Sequence, residues 1–161
     1  MNVYDYAMQM EKDGEAYYRE GASRLAHKGL KSILTMLADA EVAHYKMFAQ
    51  MKEHKPLQVS DTPLLKDVKN VFVKMREEGD LEGLGVSEVD LYRKAQDIEK
   101  KTESFYLEKA GQLEERTERE AFLLVAGEEN KHYFILQQII DFISGPDRWL
   151  ENAEWYHLDE Y

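Results

Sequence analysis

The sequence predicts an all-α protein: an antiparallel four-helix bundle with a long crossover between the second and third bundle helices and an aromatic C-terminal tail. Three observations support this fold class: long amphipathic stretches with few breakers, two halves that repeat one another, and glutamate–histidine pairs at core positions. The chain has 161 residues, 43% hydrophobic and 33% charged, which suits one globular domain.

Prolines and glycines divide the first part of the chain into helix-length segments. The first predicted helix covers about residues 3–27 and the second about 30–54, with a break at Gly29 and a stop before Pro56. Because the link between them is so short, we expect the two helices to be antiparallel neighbours.

The third and fourth long helices form a second pair. Ser87 is the expected N-cap of the third helix, which continues to about Glu115. Thr117 and Glu120 have the spacing of a capping box, which predicts the start of a fourth helix ending near Ser144.

The expected organisation is one bundle domain over residues 1–145, made of repeats at 4–55 and 92–144 that a crossover at 57–86 joins. A crossover of this length, with a short amphipathic helix inside it, could run back along the bundle. Residues 146–161 form an aromatic tail that we expect to pack on the bundle or on a dimer partner.

An internal repeat relates the two halves of the chain. A shift of 88 residues aligns 12 identical residues in 39 positions without a gap, where roughly three would arise by chance. Any two pairs of amphipathic helices resemble one another to some degree. That general likeness does not explain why a Glu and a Glu-x-x-His occur twice with the same 30-residue spacing. The aligned polar residues are Glu11 with Glu99, Glu41 with Glu129, and His44 with His132.

Glutamate and histidine take core positions in the second and fourth helices. Glu41 and His44 lie in an apolar seam of the second helix, and Glu129 and His132 lie in the matching seam of the fourth. One further glutamate from each remaining helix would bring four carboxylates into the core, which is prohibitive unless cations neutralise them. Two divalent ions balance this charge, and the pattern is typical of dinuclear carboxylate bundles. The predicted ligands are Glu11, Glu41, His44, Glu99, Glu129 and His132.

Four segments surround these residues: MEKDGEAYY and LADAEVAHYKMF in the first half, IEKKTESFY and AGEENKHYFIL in the second. They resemble the ferritin-like superfamily, and most of all its rubrerythrin-type branch. The resemblance covers residues 4–144 apart from the crossover. It implies a non-haem site with two iron ions, which manganese or zinc could replace, and a reaction with peroxide or dioxygen.

The sequence departs from the rubrerythrin pattern in two places. Rubrerythrins carry a rubredoxin-like four-cysteine centre, but this sequence has no cysteine, so it would need an external electron donor such as a rubredoxin-type protein. Rubrerythrins also place a carboxylate ligand three residues after the third-helix glutamate, where this sequence has Thr102. The expected ligand set is therefore the symmetric one of six residues.

Two tyrosines are candidate catalytic residues. Tyr18 and Tyr106 each follow a predicted ligand glutamate by seven residues, on the same helix face. Each phenol could donate a hydrogen bond to a ligand carboxylate, or could simply pack in the core. His27 and His54 lie near predicted helix ends, where a cation suits the macrodipole, and we expect them to be structural.

Composition excludes several other functions. The net charge of −11 argues against binding to nucleic acid or to anionic membranes. The absence of cysteine excludes disulfides, thiolate nucleophiles and zinc fingers. No secretory signal and no membrane-length apolar run appear, so a cytoplasmic location is the default expectation.

Three functions stay open at this stage. The first is an oxidoreductase that reduces hydrogen peroxide or dioxygen with an external donor, and we expect it to be a homodimer. The second is iron oxidation or metal binding, as a ferroxidase or storage protein, without peroxidase turnover. The third is a metal-free helical interaction protein, from which metal analysis would separate the other two.

Overall fold

The computed structural model describes residues 2–55, 64–79 and 88–145, and every regular element in these ranges is helical. The helices are α1 (Val3–Arg24), α2 (Lys28–Lys52), α3 (Leu64–Glu78), α4 (Val89–Gln112) and α5 (Arg116–Ser144). The all-α prediction is confirmed. Within the described ranges, no helix combines the length and the apolar character that crossing a bilayer requires.

Four long helices form the bundle. The most extensive interfaces join α1 with α2 and α4 with α5, and residues 25–27 and 113–115 are the short links that make each pair a hairpin. Contacts of α1 with α4 and of α2 with α5 close the two hairpins into one bundle. The crossover helix α3 packs on α2 and α5.

Two clusters of buried apolar side chains fill the interior. The α3 cluster, which includes the crossover helix, contains Tyr18, Leu30, Leu37, Phe72, Tyr92, Ala95 and Ile139 among others. The distal cluster contains Ala7, Phe48, Tyr106, Phe122 and Val125 among others. On α1, Glu11 lies between Ala7 of the distal cluster and Tyr18 of the α3 cluster. The same order holds on the other long helices, so the polar residues form a layer between two apolar regions.

The crossover helix packs tightly on the start of α2. Phe72 is fully buried and meets Phe142 of α5 with ring centroids 5.3 Å apart. At Gly29 of α2, a Cβ atom would lie only 2.4 Å from Sδ of Met75, so a larger residue there would force the Met75 side chain to move. The predicted amphipathic helix in the crossover is therefore confirmed, and its apolar side covers one region of the bundle.

The end of α1 differs from the prediction. The helix stops at Arg24, because Leu25 takes an extended backbone (φ −85, ψ 134) and buries its side chain. His27 then becomes the N-cap of α2, and its Nδ1 accepts a hydrogen bond from the Gly29 N–H at 3.1 Å. The expectation of a histidine cation at a helix C-terminus was wrong for His27, because His27 lies at the start of α2 and not at the end of α1.

The start of α5 also differs. Glu115 is the N-cap, and its carboxylate accepts from the N–H groups of Thr117 and Glu118 at 3.1 and 2.7 Å. The predicted capping box was wrong: Thr117 lies in the first turn, and Glu120 pairs with Arg116 at 2.9 Å. The two backbone N–H donors lower the pKa of Glu115, and a carboxylate at this end suits the helix dipole.

Several predictions fall outside the described residues. They concern the Ser87 cap, the parts of the crossover at 57–63 and 80–86, and the tail at 146–161. The helix that Ser87 was expected to cap begins at Val89, and Glu88 precedes it without a side-chain capping hydrogen bond.

Candidate metal centre

The polar layer brings together residues from all four long helices. α1 and α4 each contribute one glutamate, and α2 and α5 each contribute a glutamate and a histidine one turn later. Residues three apart on a helix share a face, so each Glu-x-x-His directs both side chains inwards. All are between 0% and 4% exposed: Glu11, Glu41, His44, Glu99, Glu129 and His132.

The candidate ligand atoms form two overlapping groups. The first group consists of Glu11, Glu41, His44 and Glu129, and the second consists of Glu41, Glu99, Glu129 and His132. Within each group, the ligand atoms lie within 4.8 Å of one another. Glu41 and Glu129 belong to both groups. The buried Glu/His cluster fits a metal site.

His44 connects three carboxylates. Its Nδ1 lies 3.0 Å from Oε1 of Glu129 and 3.5 Å from Oε2 of Glu11. Its Nε2 lies on the other side of the ring and is hydrogen-bonded to Oε2 of Glu128. Because an ionised carboxylate can only accept, Nε2 donates a hydrogen to Glu128, and Nδ1 is the ring nitrogen that faces the carboxylates of the layer.

His132 has a similar position in the second group. Its Nδ1 lies 3.2 Å from Oε1 of Glu41 and 3.4 Å from Oε1 of Glu99. The rings of His44 and His132 are nearly parallel, with an angle of 14° and centroids 5.8 Å apart. The Nε2 of His132 is buried and has no hydrogen-bond partner among the described residues.

Several polar atoms of the layer are buried without a hydrogen bond within the described part of the chain. Some of them are nevertheless close together, as with the 3.0 Å approach of His44 Nδ1 to Glu129 Oε1, which lacks hydrogen-bond geometry. Buried polar atoms are normally satisfied, and convergent oxygen and nitrogen lone pairs without donors are what a cation satisfies. These atoms are Glu11 Oε2, His44 Nδ1, Glu99 Oε2 and Glu129 Oε1.

Two buried phenols support the carboxylates. Tyr18 donates a hydrogen bond to Oε1 of Glu99, and Tyr106 donates one to Oε1 of Glu11 at 2.8 Å. Each tyrosine therefore serves the glutamate of the other half of the chain, not the one on its own helix. Burial, and next the nearby carboxylates, raise the pKa of both phenols, so both remain hydrogen-bond donors.

The electrostatics of the layer favour a cation. Burial, followed by repulsion from Glu11, raises the pKa of Glu41 well above 4.5, and burial with repulsion from Glu99 does the same for Glu129. Burial lowers the pKa of His44, but the Glu11 carboxylate outweighs this effect and leaves it well above 6.5. Protons and metal ions compete for such groups, so divalent ions would displace the protons.

Position 14 and its repeat counterpart, position 102, flank the layer differently. At Gly14, a Cβ atom would lie 3.2 Å from Oε2 of Glu41, so the carboxylate fills the space that a side chain would need. Thr102 is buried, and its hydroxyl donates to the Ile98 carbonyl at 2.9 Å. Thr102 therefore contributes a hydroxyl that is bonded within its own helix, and no carboxylate.

Sequence reasoning missed Glu128. Its signal is present in the sequence, because it directly precedes Glu129 and the repeat has Ala40 at the matching position. On its own, an acidic residue on a helix is usually exposed. Only the contact with His44 singles it out.

An antiparallel four-helix bundle with a buried carboxylate–histidine layer defines the class of bundle proteins built to hold metals in their core. A comparison with protein-family models matches residues 2–140 to the family Rubrerythrin. The match covers most of the chain, and the chain belongs to the rubrerythrin family. Comparisons with curated proteins and with solved structures give no match. The predicted family is therefore confirmed, and rubrerythrins typically bind iron.

Proposed function

We propose that this protein is a di-iron carboxylate oxidoreductase that reduces hydrogen peroxide or dioxygen with electrons from an external donor. One observation supports this above all others: two buried ligand groups overlap through Glu41 and Glu129. Two adjacent metal positions with shared carboxylates suit a reaction in which both metals act on one O–O bond.

In this proposal, four carboxylates balance the charge of two divalent ions, and two imidazoles complete the ligand set. Iron is the proposed metal because of the family, while manganese or zinc would also accept oxygen and imidazole ligands. The assignment is Glu11 and His44 for one ion, Glu99 and His132 for the other, and Glu41 and Glu129 for both.

When bound, the two ferrous ions would supply the two electrons that, with two protons, convert hydrogen peroxide to two water molecules. The chain itself would orient and protect. Tyr18 holds the Glu99 carboxylate and Tyr106 holds that of Glu11, each through a phenol that keeps its proton. The α3 cluster and the distal cluster exclude bulk water from both ends of the layer.

An external donor is part of the proposal because none of the 161 residues is a cysteine, so the chain has no thiolates for an iron–sulfur or rubredoxin-type centre. A rubredoxin-type protein is the donor class that the family suggests. The homodimer and the cytoplasmic location stay predictions, and light scattering on the purified protein tests the first.

Metal analysis tests the ligand assignment. After anaerobic loading with ferrous iron and desalting, we expect two irons per chain, and none in the double variant Glu41→Ala, Glu129→Ala. The matched control is Glu15→Ala with Glu103→Ala. These two glutamates are also related by the repeat, but they form ion pairs with Arg19 and Lys100 and are not among the candidate ligands. Retention of two tightly bound irons by the first double variant would refute the site.

Turnover separates the proposed reaction from the alternative, which is iron oxidation or storage. The alternative is favoured by the absence of cysteine from the 161 residues, because it needs no electron donor. Loaded protein is mixed with peroxide and a reduced rubredoxin-type donor. Continuous donor oxidation over many equivalents supports the oxidoreductase. A single oxidation of the bound iron, with no further donor consumption, would support the alternative.

A further inference from the structure

The repeat is reproduced in space around the polar layer. The contact of Tyr18 with Glu99 matches that of Tyr106 with Glu11, as a shift of 88 residues requires. The inner nitrogens of the two histidines likewise face equivalent carboxylates at 3.0 to 3.5 Å. Such a layer would hold two equivalent ions if nothing broke its symmetry.

The symmetry is broken on the outer side of the histidines. Nε2 of His44 donates to the carboxylate of Glu128, which is partly exposed at 28%. The residue that would do the same for His132 is Ala40, which has no polar side chain. Nε2 of His132 is accordingly buried without a hydrogen-bond partner among the described residues.

This difference affects how well each imidazole can bind a cation. A carboxylate on the outer nitrogen fixes the tautomer with the hydrogen at Nε2, holds the ring in place and makes the inner nitrogen a better donor. His44 has all three advantages through Glu128. His132 has contacts only through its inner nitrogen, so no carboxylate among the described residues fixes its ring from the outer side, and this lowers its effective affinity for metal.

We propose that Glu128 is a positioning residue that makes the His44 position the tighter of the two metal positions, so that divalent cations fill it first. This inference rests on the proposed function, since it needs the layer to bind two ions. A loss of an outer partner of this kind typically weakens metal binding by about 10- to 100-fold, which is the difference we expect between the positions.

Anaerobic titration with Co²⁺, followed by calorimetry and by visible absorption, measures the two steps separately. Two resolved steps, with affinities about 10- to 100-fold apart, are expected for the unmodified chain. The variant His132→Ala should keep the tight step, whereas His44→Ala should lose it. Two steps of equal affinity, or a tight step lost only in His132→Ala, would overturn the inference.

Substitutions of Glu128 test its role directly. Glu128→Ala should weaken the tight step by about 10- to 100-fold, and Glu128→Gln, which keeps an accepting oxygen, should recover part of that loss. Glu120→Ala is the matched control on the same helix, because Glu120 only pairs with Arg116 at the surface. An unchanged tight step in Glu128→Ala would overturn the inference.

The reciprocal substitution provides an independent readout. Ala40→Glu places a carboxylate where the repeat predicts a partner for Nε2 of His132, and it should tighten the second step towards the first. If Ala40→Glu fails to fold by circular dichroism, the Glu128 variants still decide. Failure to bind any stoichiometric Co²⁺ would instead refute the proposed function, which distinguishes the two failures.

Discussion

Gly14 shows how a missing side chain can position a ligand. The Glu41 carboxylate fills the space beside it, and a Cβ atom there would meet Oε2 at 3.2 Å and Cδ at 3.3 Å. Such a contact is tight, and Glu41 belongs to both candidate ligand groups, so a displacement of its carboxylate would disturb both groups. A single methyl group at this point therefore tests how closely the layer is fitted.

We expect Gly14→Ala to weaken binding of both metal ions by about tenfold or more, as measured by Co²⁺ titration. The control is Gly127→Ala, where a Cβ atom meets nothing within 4 Å. There the substitution should leave binding unchanged and stabilise α5 by about 0.5–1 kcal/mol. Equal metal affinities in the two variants would contradict this account of Gly14.

The tyrosines give a second prediction at this scale. Tyr18→Phe removes the donor to Glu99 and leaves a buried carboxylate with one partner fewer. We expect a loss of about 1–3 kcal/mol in the free energy of unfolding of the metal-free protein. Tyr6→Phe, at a side chain 54% exposed, is the control and should change little. Equal stabilities of both variants would mean that the buried hydrogen bond contributes nothing.

At the scale of elements, the crossover helix is held by its buried side. Val68, Phe72 and Met75 belong to the α3 cluster, which also contains residues of α2 and α5. Because this cluster borders the polar layer, α3 acts as a cover for one apolar region. It contributes none of the candidate ligands.

Phe72→Ala should therefore lower the free energy of unfolding by about 3–5 kcal/mol, through lost burial and the cavity left behind. The neighbouring Val73→Ala, at a side chain 42% exposed, should change it by less than about 0.5 kcal/mol. Denaturant unfolding measures both. The stoichiometry of bound metal should stay the same in each variant that folds, and a selective loss of one ion in Phe72→Ala would show that α3 also shapes the site.

Periodicity predicted each of the five helices in the described ranges, but not where they end. The apolar seams of α2 and α5 extend over many turns, and each further buried position at helical spacing strengthens the prediction of a helix. A helix end depends on one or two local hydrogen bonds. His27 and Glu115 are the N-caps of α2 and α5 in the structure. Which of several neighbouring polar residues becomes the cap depends on where the chain turns so that the two helices of a hairpin can pack.

At the scale of the whole molecule, the layer of buried carboxylates makes stability depend on pH. In the metal-free protein, the raised pKa values of Glu41 and Glu129 mean that the folded state keeps protons which the unfolded state loses above about pH 4.5. The raised pKa of His44 acts in the same direction above about pH 6.5. Burial raises the pKa of Glu99, but the nearby His132 outweighs this effect and leaves the pKa lowered. A lowered carboxylate pKa adds stability that is complete above about pH 4.5, so Glu99 does not change the trend above that pH.

We therefore expect the free energy of unfolding of metal-free protein to fall between about pH 5 and pH 8. Bound metal replaces these protons, so the stabilisation by metal should grow over the same range. Denaturant unfolding with and without Co²⁺ measures both trends. Melting temperatures that do not respond to metal, or a metal-free stability that rises with pH, would contradict a buried carboxylate centre.

The sequence by itself determined the class of fold and the six candidate ligands, because buried helices need a regular apolar seam and charged residues in that seam require an explanation. It also revealed the repeat that relates the two halves. Only the tertiary structure decided which tyrosine serves which glutamate, that Glu41 and Glu129 are common to both groups, and that Glu128 reaches His44. These are contacts between helices far apart along the chain, and the packing of one hairpin on the other fixes their partners.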